Sequence, residues 1–210
     1  MKIFRSALIT FCFAGAICLA IPKADANHNV VINPGFENSA MFAPNWTYTD
    51  PNPDPDLSNV GTDPQFANSG NNHANLGTFG VNPLFASLSQ TLMTTAGQLY
   101  NLSFWLAHDV TTPPPPVSNN FQVFFGGVMV QSLVNVGTFG YTQFVFGGLV
   151  PTGGSTLLEF RFRDGNDFFR LDDVRVSTPE SGATALLALP AFAGLLLLHF
   201  RLRTRKSSVS

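Results

Sequence analysis

The stretch Leu157-Leu158-Glu159-Phe160-Arg161-Phe162-Arg163 alternates apolar and charged side chains. In an extended chain Leu158, Phe160 and Phe162 share one face, and Glu159, Arg161 and Arg163 share the other, the period of two expected of a half-buried strand. Residues 99–107 repeat the pattern, with Tyr100, Leu102, Phe104 and Leu106 on one side and Asn101, Ser103 and Trp105 opposite. Residues 84–92 and 121–125 are further candidate strands. Gly126-Gly127, between Phe125 and Val128, is a two-residue hairpin signal. Asp164-Gly165 is predicted to close another hairpin onto a strand over residues 168–176. Six to eight such strands, spaced roughly 10 to 20 residues apart with no amphipathic helical window, predict an all-β fold: one antiparallel β-sandwich or jelly roll over residues 27–176.

Composition agrees. Charged residues make up 11% of the 210, and 21 Phe, 18 Gly and 15 Pro disfavour a helical bundle. The overall formal charge of -2 hides an uneven distribution. Between residues 27 and 176 there are four arginines (Arg161, Arg163, Arg170, Arg175), no lysine and eleven acids, a net of -7. A nucleic-acid partner needs a basic surface to displace counterions, so that class is excluded. Pro113 to Pro116 predict a polyproline-type surface loop within residues 108–120. Asp50-Pro51-Asn52-Pro53-Asp54-Pro55-Asp56 reads as a stiff solvated turn: it has oxygen ligands at every other residue, but lacks the turn glycine and closing glutamate of a calcium loop. Gly-Thr-Phe-Gly occurs at 77–80 and again at 137–140. Two copies could reflect the two halves of a sandwich without establishing a repeat protein.

Both ends read as addresses. Lys2 and Arg5, an apolar run from Ala7 to Ile21, and Ala24-Asp25-Ala26 ahead of Asn27 form an export signal, residues 1–26, cleaved between Ala26 and Asn27. Its run is short for a first transmembrane helix. Cys12 and Cys18 both fall inside it, so the mature chain is expected to have no disulfide. Residues 183–200 carry no formal charge and would span about 27 Å as a helix, enough to cross a bilayer core. The basic segment 201–210 should stay cytoplasmic, which places residues 27 to about 180 outside.

Residues 177–182 join domain to helix and contain Thr178-Pro179-Glu180-Ser181-Gly182. With the apolar helix and the arginine cluster behind it, this segment resembles the C-terminal sorting signals of the PEP-CTERM group, most closely the VPDSG-CTERM variant. Thr178 and Glu180 stand where Val and Asp are usual. The resemblance implies a sorting motif at Pro179, Glu180, Ser181 and Gly182, a bacterial host, and processing by an exosortase-type membrane transpeptidase. The location it implies is the cell envelope, surface or extracellular matrix, after initial anchoring in the inner membrane. An unprocessed single-pass anchor is the alternative.

A second resemblance covers nearly all of residues 30–176. Asn33-Pro34-Gly35-Phe36-Glu37, Pro44-Asn45-Trp46, Leu88-Ser89-Gln90-Thr91-Leu92, Gly97 through Trp105, and Arg170-Leu171-Asp172-Asp173-Val174-Arg175-Val176 look like the galactose-binding-like jelly rolls. These include many carbohydrate-binding modules. The resemblance implies that the first and last strands meet, with a structural calcium ion (Ca2+) held by the Gly35 carbonyl, the Glu37 side chain and an Asp of the Asp172-Asp173 pair. Calcium takes several oxygen ligands, and alternation from Val174 and Val176 turns Asp172 toward the core, where a carboxylate must be paired, protonated or metal-bound. Pairing with Arg170 or Arg161 is the alternative to a metal.

Sugar binding needs exposed aromatic rings beside amides or acids, because pyranose faces present apolar C–H patches ringed by hydroxyls. Trp105, Trp46, Tyr48 and Tyr141 are the candidate platforms, Trp105 foremost, with core packing the competing reading for each. Catalysis has thinner support. His28, His73 and His108 lack metal spacing, and His108-Asp109 is the one acid–base pair next to a long loop. The expectation is a non-catalytic surface protein that binds or organises extracellular polysaccharide. A purely structural component and a glycoside hydrolase are the alternatives.

Overall fold

A computed structural model of the chain describes residues 28–38, 41–51, 58–78, 84–109, 119–164 and 167–179. The export signal with its Ala26–Asn27 cleavage point, the Glu180-Ser181-Gly182 part of the sorting motif, the apolar segment, the basic tail, residues 52–57 of the first proline loop and residues 110–118 of the second lie outside these residues.

Ten strands make up the described chain: β1 (Thr47–Thr49), β2 (Asn59–Gly61), β3 (His73–Leu76), β4 (Ala86–Met93), β5 (Tyr100–Asp109), β6 (Asn120–Phe125), β7 (Val128–Val134), β8 (Phe139–Leu149), β9 (Ser155–Arg163) and β10 (Phe168–Ser177). They form two five-stranded antiparallel sheets, in the orders β1-β4-β9-β6-β7 and β2-β3-β10-β5-β8. The quoted stretch is the middle strand of the first sheet. Phe160 sits across from Leu88 on β4 and Val123 on β6, and Phe162 from Ala86 and Phe121. All six are buried, whereas Arg161 points to solvent, as the alternation requires. In β5, Tyr100, Leu102, Phe104 and Leu106 are likewise buried.

The two inner faces meet through aromatic rings. Phe104 on β5 lies edge-on to Phe160 on β9, with centroids 5.3 Å apart, and Phe121 on β6 lies 5.1 Å from Phe169 on β10. Such pairs add directional attraction to the burial of a large apolar area. Gly126 and Gly127 close the β6–β7 hairpin with φ of 59° and 80°. The turn matching strand twist needs both central residues left-handed, which glycine adopts without steric cost.

The predicted hairpin at Asp164-Gly165 is a correction. β9 pairs with β4 and β6 in one sheet, and β10 pairs with β3 and β5 in the other, so this link crosses between layers. A local turn signal says where a strand ends but not which strand takes its edge. The first segment does meet the last strand. Val30 N donates to Val176 O (2.9 Å), Val174 N donates to Pro34 O (3.0 Å), and the Asn29 amide bridges Val174 and Val176.

Candidate functional site

The outer face of the second sheet gathers groups that the sequence scatters. Trp105 on β5 lies across from Gln143 on β8 and Asp172 on β10, and all three point away from the core. The loop joining β2 to β3 folds over this face. Tyr141 Oη donates to the Phe66 carbonyl (2.9 Å), and the Phe66 ring lies under the Arg170 guanidinium, 4.2 Å from its centroid. Arg170 is also ion-paired with Asp109. Burial, reinforced by the Asp172 charge, raises the Tyr141 phenol above its usual range, so Tyr141 acts as a neutral donor. Trp105 remains partly exposed. The result is a partly open indole on a face carrying an amide, an ion pair and a second aromatic ring.

Of the four predicted platforms, Trp105 and Tyr141 share this face and the other two do not. Trp46 is 2% exposed, packs 5.5 Å from Phe36, and donates its indole N–H to the Asn33 carbonyl (3.1 Å). It is a core residue, and the platform reading is corrected. Tyr48 pairs with Leu88, stacks on Phe162, and spends its hydroxyl on Asp50 (2.9 Å); burial pushes its pKa up to about 12. It too faces the core.

Of the four residues assigned to calcium, Gly35 lies beside the other three. A Cβ placed on Gly35 would lie 3.5 Å from Asp172 Oδ1, 3.6 Å from Asp173 Oδ1 and 3.7 Å from Glu37 Cγ. Asp172 reaches the cluster by a different route from the one alternation predicts. A β-bulge falls between Asp172 and Arg175, with Asp173 at φ 49°, and its extra residue breaks the period of two. Asp172 therefore shares the outer face with Arg170 while Val174 and Val176 face the core. It is nonetheless fully buried, beneath the β2–β3 loop. Asp172 Oδ2 accepts from Asn68 N (2.8 Å) and Ser69 N (3.2 Å), and Asp173 accepts from the Asn68 amide (2.8 Å) and Ser69 hydroxyl (2.7 Å). Glu37 Oε1 accepts from Asn71 N and Asn72 N, both at 2.8 Å. Gly70, at φ 65°, has no room for a Cβ beside that carboxylate.

Burial lifts the Asp172 carboxyl to about 7, the neighbouring Asp173 charge adding to the rise against the amide hydrogen bonds that lower it. The proposed counter-ions are engaged elsewhere, Arg170 with Asp109 and Arg161 with Glu159 on the other sheet. Three carboxylates beside backbone oxygens suit a hard, oxygen-seeking cation in kind. Among the described residues no three acidic or histidine side chains converge closely enough to hold a metal ion unaided, so a cation here would draw on backbone oxygens such as the Gly35 carbonyl.

The His108-Asp109 pair separates, because adjacent residues of a strand point to opposite faces. His108 is fully buried and stacked on Phe169 (4.5 Å). Its Nε2 meets Asp164 Oδ2 at 2.7 Å and its Nδ1 meets the Gly137 carbonyl at 3.0 Å. Thr78 holds Asp164 in turn, donating its N–H to the Asp164 carbonyl (2.8 Å). Each Gly-Thr-Phe-Gly copy thus contributes one backbone contact around this pair. His73 is also buried, and burial lowers its pKa; Gly61 opposite has no side chain, leaving space for the imidazole.

Sequence reasoning missed Phe66, Gln143 and the Arg170–Asp109 pair. Nothing local marks them, since a loop over a sheet face and a cross-strand ion pair exist only once the strands are ordered.

No protein-family model matches the chain, and no curated protein matches it. Solved structures do resemble it. The carbohydrate-binding module TmCBM61, solved in complex with beta-1,4-galactotriose, aligns with a TM-score of 0.56 at 18% identity, covering 72% of this chain and 99% of that one. A family 16 carbohydrate-binding module aligns at 0.46 with 20% identity, over 70% and 99% of the two chains. The CBM22-1 xylan-binding domain from Paenibacillus barcinonensis aligns at 0.45 with 15% identity, over 70% and 92%. The first likeness establishes the fold, the antiparallel two-sheet jelly roll of carbohydrate-binding modules.

Proposed function

We propose that residues 27–176 form a non-catalytic module that binds extracellular polysaccharide through the outer face of the second sheet. The observation that carries this reading is the partly exposed Trp105 indole set beside Gln143, on a face that also presents Tyr141 and the Arg170–Asp109 pair. An aromatic plane suits the C–H face of a pyranose, and the flanking amide and ions suit its hydroxyls. The likeness to a module solved with a galactose trisaccharide supports the same reading. The absence of catalysis is part of the proposal. Its support is that the one sequence-adjacent acid–base pair divides into a buried His108–Asp164 contact and an Arg170–Asp109 ion pair, neither of them a free acid or base.

Affinity electrophoresis through gels of different polysaccharides tests binding. Retention of the purified chain should fall at least tenfold in Trp105→Ala with the fold intact, while Trp46→Ala should lose about 3–5 kcal/mol of stability. No retention on any glycan would leave a purely structural surface component, and release of reducing ends would make the protein a hydrolase.

The proposal includes the sequence-derived itinerary: export, anchoring in the inner membrane by residues 183–200, and processing near Pro179 by an exosortase-type transpeptidase. Mass spectrometry of the native protein should find the residues beyond that motif missing; a C-terminus intact at Ser210 leaves a plain anchor. Structural calcium at Gly35, Glu37, Asp172 and Asp173 belongs to the same proposal.

A further inference from the structure

Between Asp109 and Glu159 the chain has no charged residue. This stretch supplies β6, β7 and β8, and β7 and β8 are the outermost strands at one side of the two sheets. The core is thinly covered there. Among the half-buried apolar residues packed against it, all but Val30 and Tyr48 lie on β7, on β8 or on the link between them. Exposed apolar side chains continue the surface, with Val145 on β8 64% exposed and Val128 and Val134 on β7 68% and 55% exposed.

The opposite side differs: its edges are β1 and β2, each three residues long. Short strands, lysines, prolines and inward charges are the usual means by which natural sheets discourage edge pairing. β8 is eleven residues long and has none of them. Its register shifts lie toward its ends, leaving Thr142 to Phe146 regular against β5. β7 carries its own bulge, between Gln131 and Met129, and is the poorer edge.

We infer that β8 is a self-association edge, pairing antiparallel with β8 of a second copy of this chain about a two-fold axis through Phe144. Charge selects the occupant. The domain carries a net -7, so two copies repel one another over most approaches, and the uncharged side is where that repulsion is least. The sequence Thr142-Gln143-Phe144-Val145-Phe146 is compatible with its own reverse: Phe146 meets Thr142, Val145 meets Gln143, and Phe144 meets itself, with no charge opposed. An isologous contact of this kind closes at two chains. It would join two five-stranded sheets into one and cover Phe144 and Phe146, whose rings already stack on Phe104.

The test is the mass of the full chain, purified in a non-denaturing detergent, followed by sedimentation equilibrium over a wide concentration range. The expected result is a reversible monomer–dimer equilibrium that Val145→Lys weakens at least tenfold. Val145→Glu should do the same alone, and an equimolar mixture of the two variants should recover association, because the substituted side chains lie diagonally across the axis. Val145 is exposed, so neither change disturbs the core. Hydrogen exchange needs no substitution: amides of residues 142–146 should gain protection as wild-type concentration rises. A wild-type chain that stays monomeric throughout, or a dimer indifferent to Val145→Lys, overturns the inference. Because neither readout involves a sugar, failure here leaves the glycan-binding reading standing.

Discussion

Burial alone would strip the proton from His108. The hydrogen bonds to Asp164 and the Gly137 carbonyl, with the charges of Asp164 and Asp167, outweigh that penalty and raise its pKa. Nδ1 faces the Gly137 carbonyl and Nε2 faces Asp164 at 2.7 Å, with the Asn119 amide farther off at 3.4 Å, an arrangement that favours protons on both nitrogens. A group with a raised folded pKa contributes stability that is fully present below its unfolded value, about 6.5 for histidine, and that is lost as pH rises through the folded value. Stability measured by urea unfolding should therefore decline above about pH 6.5. Part of that decline should be absent from His108→Gln, and the difference between the two curves isolates His108 from Asp172, which titrates with the same sign. Removing one partner of a buried pair strands the other, so His108→Ala should cost about 3 kcal/mol or more. An identical pH profile in His108→Gln would mean that the imidazole is neutral. The sequence could mark His108 as notable, but it pointed to Asp109 because neighbours along the chain are visible and partners 56 residues away are not.

Among the elements, β9 and β5 were legible because each buries one face and exposes the other, which writes the period of two into the residues. The strands β1, β2 and β3, of three or four residues each, are too short to show a period, and pairing rather than propensity makes them strands. In β10 the failure is more specific. Counting alternate residues back from Val176 and Val174 puts Asp172 in the core, and one extra residue at Asp173 reverses that. The bulge makes an uncommon prediction: adding a residue to β10 should cost more than removing one. Deleting Asp173 regularises the strand, keeps Leu171, Val174 and Val176 on the core face, and loses the bonds to Asn68 and Ser69, about 2–4 kcal/mol. Inserting a glycine after Asp173 leaves two poor choices: keeping the bulge turns Val174 and Val176 outward, and a regular strand buries Asp173 and slips the register by two residues, so the insertion should cost more than about 5 kcal/mol. Chemical denaturation of the two variants checks the order, and a deletion that unfolds the chain while the insertion survives would mean that the register is misread.

For the whole molecule, the acidic cluster is where three distant parts of the chain are tied: the segment carrying Gly35 and Glu37, the β2–β3 loop through Asn68 to Asn72, and β10. That same loop supplies Phe66 to the Trp105 face, so whatever steadies the cluster also steadies the proposed binding surface. Hydrogen bonds from residues 68–72 hold Asp172, Asp173 and Glu37, and a divalent cation bound beside the Asp172-Asp173 pair would offset the charge repulsion between those two neighbours. Binding to the folded state alone contributes about 2.7 kcal/mol at a hundredfold excess over Kd, equivalent to roughly 5–10 °C in a domain of this size. Chelation should lower the melting temperature by about that amount, calcium should restore it, and Glu37→Gln should remove the dependence. Chelation should also weaken retention on polysaccharide through the shared loop, whereas Trp105→Ala should cut retention at least tenfold and leave the calcium effect on melting unchanged. A melting temperature indifferent to chelator would assign the cluster's cohesion to the amides of residues 68–72, with Asp172 protonated, and would take calcium out of the account.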